Sequence, residues 1–185
     1  MLRGRTPPVN RQLEQEGLAG SAPTTLVAGA VKEFRRRRTH TWPARILLWA
    51  GTTYLSAGRI DEAASHARES LVLTRRLGAR GAEAHALCLA GELASAGGGG
   101  DAESGYREAL TLAQDLGMRP VIAHCHFGLG KLSRRTGKQQ DGQEHLTTAT
   151  TMYREMGMTY WLEKIQREID GLKSEGQFSR TDARE

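Results

Sequence analysis

His85, Cys88, His124, Cys125 and His126 carry the donor atoms of a zinc site, since imidazole and thiolate are that ion's preferred ligands. Their spacing argues against one. His85 and Cys88 share a helix face, but His124 and Cys125 point about 100° apart on an α-helix. Four ligands do not converge tetrahedrally from adjacent positions on rigid helices. The expectation is therefore packing and groove residues, with no bound metal and no cofactor. A Cys–His nucleophile pair meets the same objection, and no third group is placed to orient the imidazole. Gly128-Leu129-Gly130-Lys131 has the ending of a phosphate loop without its start. That loop needs an earlier Gly where this chain has Cys125, and a Ser or Thr where it has Leu132. Asp61-Glu62 reads as negative charge at a helix start rather than an acid–base pair. The chain is expected not to be an enzyme.

The elements that carry these residues recur. Leu77-Gly78-Ala79-Arg80 leads through Ala84-His85 to Gly91, and Leu116-Gly117-Met118-Arg119 leads through Ala123-His124 to Gly130, shifted by 39 residues (116 − 77). Met156-Gly157-Met158 repeats the opening 40 residues after Gly117 (157 − 117). Self-similarity at such a period marks stacked structural repeats. Aromatics are only 5% of the chain, which favours helices over strands. Helical spacing predicts a first pair from Ile46, Leu47, Ala50, Tyr54 and Leu55, with an inner stripe of Ala63, Ala67, Leu71 and Val72 on its second helix. The second unit uses Ala84, Leu87, Cys88, Gly91 and Leu93, a turn at Gly97–Gly100, a cap at Asp101, then Ala102, Tyr106, Ala109 and Ala113. The third opens at Pro120 and pairs with Gly142, Leu146, Ala149 and Met152. Thr159 starts a last helix with Tyr160, Trp161, Ile165, Ile169 and Leu172 apolar, the end cap such a stack needs.

Charge divides the chain. Residues 1–40 hold eight basic and three acidic side chains, 8 − 3 = +5, which is the whole net charge of +5. Residues 1–22 lack large apolar groups and are expected to stay disordered. A short helix is expected over 24–38, with Leu26, Val27, Ala30, Val31 and Phe34 on one side, ending in Arg35–Arg38. The domain plan is thus a basic leader 1–40, a repeat domain 41–174 and a fraying tail 175–185. The Arg run admits a nucleic-acid or anionic-lipid patch, but the favoured reading is a solvated helix end. No run of apolar residues is long enough to span a bilayer, the start lacks the apolar segment of a secretory signal, and the two cysteines suit reduced buried thiols, so the expected compartment is the cytoplasm.

The small-residue pattern resembles the tetratricopeptide repeat (TPR). Gly51, Tyr54, Ala63 and Ala67 match its order in the first unit; Gly91, Ala102, Tyr106 and Ala109 match in the second; Leu129-Gly130, Leu146 and Ala149 match in the third, with Gly142 where Ala is usual. The family's Trp is absent from its place, its closing Pro is missing, and the period is nearer 40 than 34. Met118-Arg119-Pro120, Ala123-His124-Cys125-His126, Arg134-Arg135-Thr136-Gly137 and Glu144-His145-Leu146 resemble, more specifically, the C-terminal repeat tail of bacterial signalling proteins that join a nucleotide cyclase to an ATPase module. The resemblance implies an all-α, right-handed α-solenoid of about three TPR-like helix pairs plus a C-terminal capping helix. It also implies a non-catalytic protein–protein interaction scaffold, with a cyclase or ATPase-type signalling protein among the partners.

In this family the first helix of each unit lines the concave surface. Superposing the units places Arg45, His85 and His124 in one row, Leu48, Cys88 and Phe127 in a second, and Thr52, Glu92 and Lys131 in a third, with Arg134 and Arg135 further along. Such a groove suits a helix or extended peptide bearing acidic residues. Phe127 is expected as its half-exposed anchor; the competing reading makes it ordinary core. The alternative function, a nucleic-acid or anionic-surface adaptor, rests on the Arg-rich leader.

Overall fold

A computed structural model describes residues 22–37, 43–97 and 101–181, and every regular element among them is an α-helix. The chain divides after Gly78 into two compact units. Residues 1–21 and 38–42 of the expected leader, Gly98 to Gly100 of the expected turn, and residues 182–185 lie outside the described residues.

The first unit holds α1 (Ala22–Arg37), α2 (Pro43–Ser56) and α3 (Ile60–Arg76). Helix α2 buries Ala44, Leu47, Ala50 and Tyr54, a stripe at three- and four-residue steps. Helix α3 lays Ala63, Ala67, Ser70 and Thr74 against it, and His66 stacks on the Tyr54 ring at 5.3 Å. Val72, expected inside, is 69% exposed. The stripe keeps the 3.6-residue period and turns inward at the two hydroxyl residues instead. Their burial is tolerated because each donates a hydrogen bond: Ser70 Oγ to the Ala44 carbonyl at 3.0 Å, Thr74 Oγ1 to the Leu71 carbonyl at 2.9 Å. In α1 the buried face is Thr24 and Val31, with Val27 half-buried, while Leu26 is 76% exposed and Ala30 is exposed too. The expected grouping spans more than one helix face can hold, and positions 24, 27 and 31 are the ones that fall in line.

The second unit comprises α4 (Arg80–Gly97), α5 (Ala102–Asp115), α6 (Arg119–Arg135), α7 (Gln139–Glu155) and α8 (Thr159–Thr181). Helices α4 and α5 pack as a pair, α6 and α7 as a second, α6 touches both members of the first pair, and α8 closes on α7. Helix α8 runs through part of the segment expected to fray. That stretch has one Gly and no Pro, so the backbone carries on.

Three helix ends of this unit are set by the same device. After α5, Gly117 takes φ +64°, donates to the Gln114 carbonyl at 3.1 Å, and Met118 donates to the Ala113 carbonyl at 2.8 Å. This pair of hydrogen bonds satisfies carbonyls that would otherwise be orphaned, and Gly takes that φ without strain. The turns after α6 and α7 reproduce it at Gly137 and Gly157. At the other end of α5, Asp101 accepts from the Ser104 N–H at 2.9 Å. Asp101→Ala is expected to cost about 1 kcal/mol, read from the urea midpoint of the intact chain.

The inter-helix seams depend on missing side chains. The Tyr106 ring of α5 lies between Gly91 of α4 and Gly128 of α6; a Cβ at Gly91 would meet it at 2.9 Å and one at Gly128 would sit closer still. Where α6 meets α7, Gly130 faces Leu146 and the Gly142 carbonyl in the same way. Gly91, Gly130 and Gly142 are among the small-residue positions read from the repeat; Gly128 is not.

Candidate binding face of the second unit

Three helices bring a charged cluster together. Offsets of three and four residues align His85, Cys88 and Glu92 on α4, and His124, Phe127 and Lys131 on α6. Helix α8 adds Trp161, Lys164 and Glu168 at the same offsets. Both lysines are held over rings of their own helix: Lys131 Nζ lies 4.9 Å from the Phe127 centroid, and Lys164 Nζ lies 4.7 Å from the Trp161 centroid. Burial pushes the Glu92 carboxyl above its usual range, opposed by the charges of Lys131 and Lys164. Burial likewise lowers Lys131, opposed by Glu168 and Glu92. The four charges are close enough to act on one another, yet no close ion pair joins them among the described residues. Glu92, Lys131, Lys164 and Glu168 are all half-buried.

His124 anchors the near end. Its Nδ1 is 2.7 Å from Tyr153 Oη, and its ring lies 4.3 Å from that of Trp161. Burial first, then the neighbouring His85 and Lys164, lower its pKa from 6.5 to about 4. An unfolded chain therefore binds a proton here between about pH 6.5 and 4 that the folded chain does not, so this group makes stability fall on acidification across that window. Urea midpoints measured at pH 7 and pH 4.5 should drop less in His124→Gln than in the parent chain; an equal drop would show that His124 is not held neutral.

Two expected groove residues point inward. Phe127 is 4% exposed and meets Tyr153 and Trp161 edge-on, each at 6.5 Å, within a core of Ala123, Leu146, Ala149, Tyr153 and Ile165. The half-exposed anchor is thereby corrected to core. The cause is α8: its Trp161 and Ile165 cover the ring that an uncapped stack would expose. Cys88 is buried too, its thiol held against Cys125; that hydrogen bond and burial raise it well above the usual thiol range, which keeps it protonated and unreactive.

The remaining candidates do not belong to this core. Arg135 donates to the Ser95 carbonyl at 3.3 Å and to the Ser95 hydroxyl, tying α6 to α4. Arg134 instead lays its stem over Gly142 of α7. His85 is exposed. Arg45, Leu48 and Thr52 belong to the first unit, where Arg45 is exposed and lies 5.7 Å from the Trp49 centroid, Leu48 is half-buried, and Thr52 donates to the Trp49 carbonyl at 3.0 Å. Reasoning from the sequence missed Lys164 and Glu168, although their spacing from Trp161 repeats that of Cys88 and Glu92 from His85. It also missed His145, whose Nδ1 lies 2.8 Å from that of His126.

A comparison with known family models finds no match, and a comparison with curated proteins finds none either. No helix among the described residues is long and apolar enough to cross a membrane.

Proposed function

We propose that the chain is a non-catalytic interaction module of the tetratricopeptide type, a right-handed helical solenoid that acts in the cytoplasm as a scaffold for bacterial cyclase- or ATPase-linked signalling. Its second unit binds a peptide or helix carrying acidic residues. The observation that carries this reading is the α4–α6–α8 face. Two lysines are stacked in place on Phe127 and Trp161, and among the described residues neither is closed off by an ion pair. Ammonium groups fixed in this way lose little freedom when a carboxylate arrives. Glu92 and Glu168 between them limit the field, so the face selects a partner by the placement of its charges rather than by bulk acidity. The repeat resemblance supports the scaffold role, because first-helix faces serve that purpose in the family.

The test uses fluorescently labelled amphipathic helices with a Glu/Leu stripe, titrated with the intact chain. Lys131→Glu with Lys164→Glu is expected to weaken binding about tenfold or more, through like-charge contact with the peptide. Circular dichroism checks that the variant remains helical. Binding that ignores these substitutions and disappears on deleting residues 1–40 would transfer the function to the Arg-rich leader.

A further inference from the structure

A second cluster lies on the other seam of α6 and has no part in the proposed peptide face. His126 of α6 and His145 of α7 oppose their Nδ1 atoms at 2.8 Å, with ring centroids 5.1 Å apart and planes inclined by 43°. Both residues are half-buried, so the pair is supported by packing and still open to solvent. We propose that His126 and His145 form a two-imidazole site for a first-row divalent transition ion.

The two Nδ1 atoms stand near the separation that two ligands of one ion require. Two neutral imidazoles can make this contact only if one carries its proton on Nδ1 and the other offers a bare Nδ1. Two nitrogens bound to one ion at about 2.0–2.1 Å, with an angle between a right angle and a tetrahedral one, stand about 2.8–3.4 Å apart. The ion takes the place of the shared proton. The Nδ1 proton of the donor ring moves through water to Nε2 of the same ring, and both rings then present Nδ1 lone pairs. No net proton is released from the neutral pair.

The surroundings fit a cation. Asp141 and Glu144 on α7 and Glu103 on α5 act on His145 with negative charge, against the single positive charge of Arg107, which is itself paired to Glu103 at 2.7 Å. Among the described residues no group of three or more His, Cys, Asp and Glu converges, so water fills the ion's other positions and the site is open. Imidazole donors select copper, nickel and zinc, whereas magnesium and calcium prefer oxygen.

The experiment is calorimetric titration of the intact, untagged chain with nickel, zinc and magnesium salts. One equivalent of nickel binds, zinc binds more weakly, and magnesium does not bind. His126→Gln and His145→Gln each lower nickel affinity by at least about tenfold, while His85→Gln leaves it unchanged. Imidazole nitrogen resonances of the parent chain supply a readout free of any folding defect: zinc shifts those of His126 and His145 first among the six histidines. Absence of saturable binding at millimolar nickel, undiminished binding in the double variant, or shifts centred on other histidines would each overturn the site.

Discussion

Phe127→Ala is expected to lower the free energy of unfolding by about 3–5 kcal/mol, the usual range for truncating a buried phenylalanine. The ring is 4% exposed and fills the seam where α6, α7 and α8 meet. Truncation removes its edge-on contacts with Tyr153 and Trp161 together with the surface under Lys131. The site has little room to collapse, because its neighbours Ala123 and Ala149 are already small and fully buried. Urea unfolding followed by circular dichroism provides the value. Lys131→Met keeps the stem over the ring and removes only the charge, so it is expected to leave the midpoint nearly unchanged. A loss below about 1 kcal/mol for Phe127→Ala would mean that the ring is not core, and would reopen its reading as a groove anchor.

Phe127 also shows where the sequence was readable. Its place on α6 follows from the 3.6-residue period, and the helix ends follow from the Leu-Gly turns that recur with the repeat. What period alone cannot say is which element covers a face. Phe127 and Lys131 lie on the same stripe, and it is Trp161 and Ile165, contributed from some 35 residues further on, that make one of them core and leave the other half-buried. Ser70 and Thr74 illustrate a second limit. They are absent from the expected inner stripe, but the Ala44 and Leu71 carbonyls satisfy their hydroxyls, so they and not Val72 lie on the inner face. His145 illustrates a third. Weighing His126 against His85, Cys88, His124 and Cys125 alone left out a partner that the α6–α7 turn brings within hydrogen-bond distance. The small residues were the most legible feature, because a missing side chain at a helix crossing has a meaning that does not depend on which helix crosses.

Gly128→Leu should therefore be among the most damaging single changes in the second unit, costing about 3 kcal/mol, the upper end for overpacking, or more. Even the first added carbon would lie well under 3.0 Å from Tyr106 Cε1 and Cζ. That ring is 1% exposed and cannot retreat, since Gly91 holds its opposite side so closely that a Cβ there would meet it at 2.9 Å. Helix propensity pulls the other way, by up to about 1 kcal/mol for replacing a mid-helix Gly. Gly29→Ala in α1, where an added Cβ meets nothing within 4 Å, isolates that term and should stabilise or be neutral. The wedge itself is tested by a double-mutant cycle. Tyr106→Ala alone is expected to cost about 3–5 kcal/mol by leaving a cavity. In combination with Gly128→Leu the two losses should fall short of additive by about 1–3 kcal/mol, because the leucine enters the space the ring has left. Additive losses would show that Gly128 and Tyr106 do not share one gap, and that the α4–α5–α6 seam is held by something other than a ring set between two glycines.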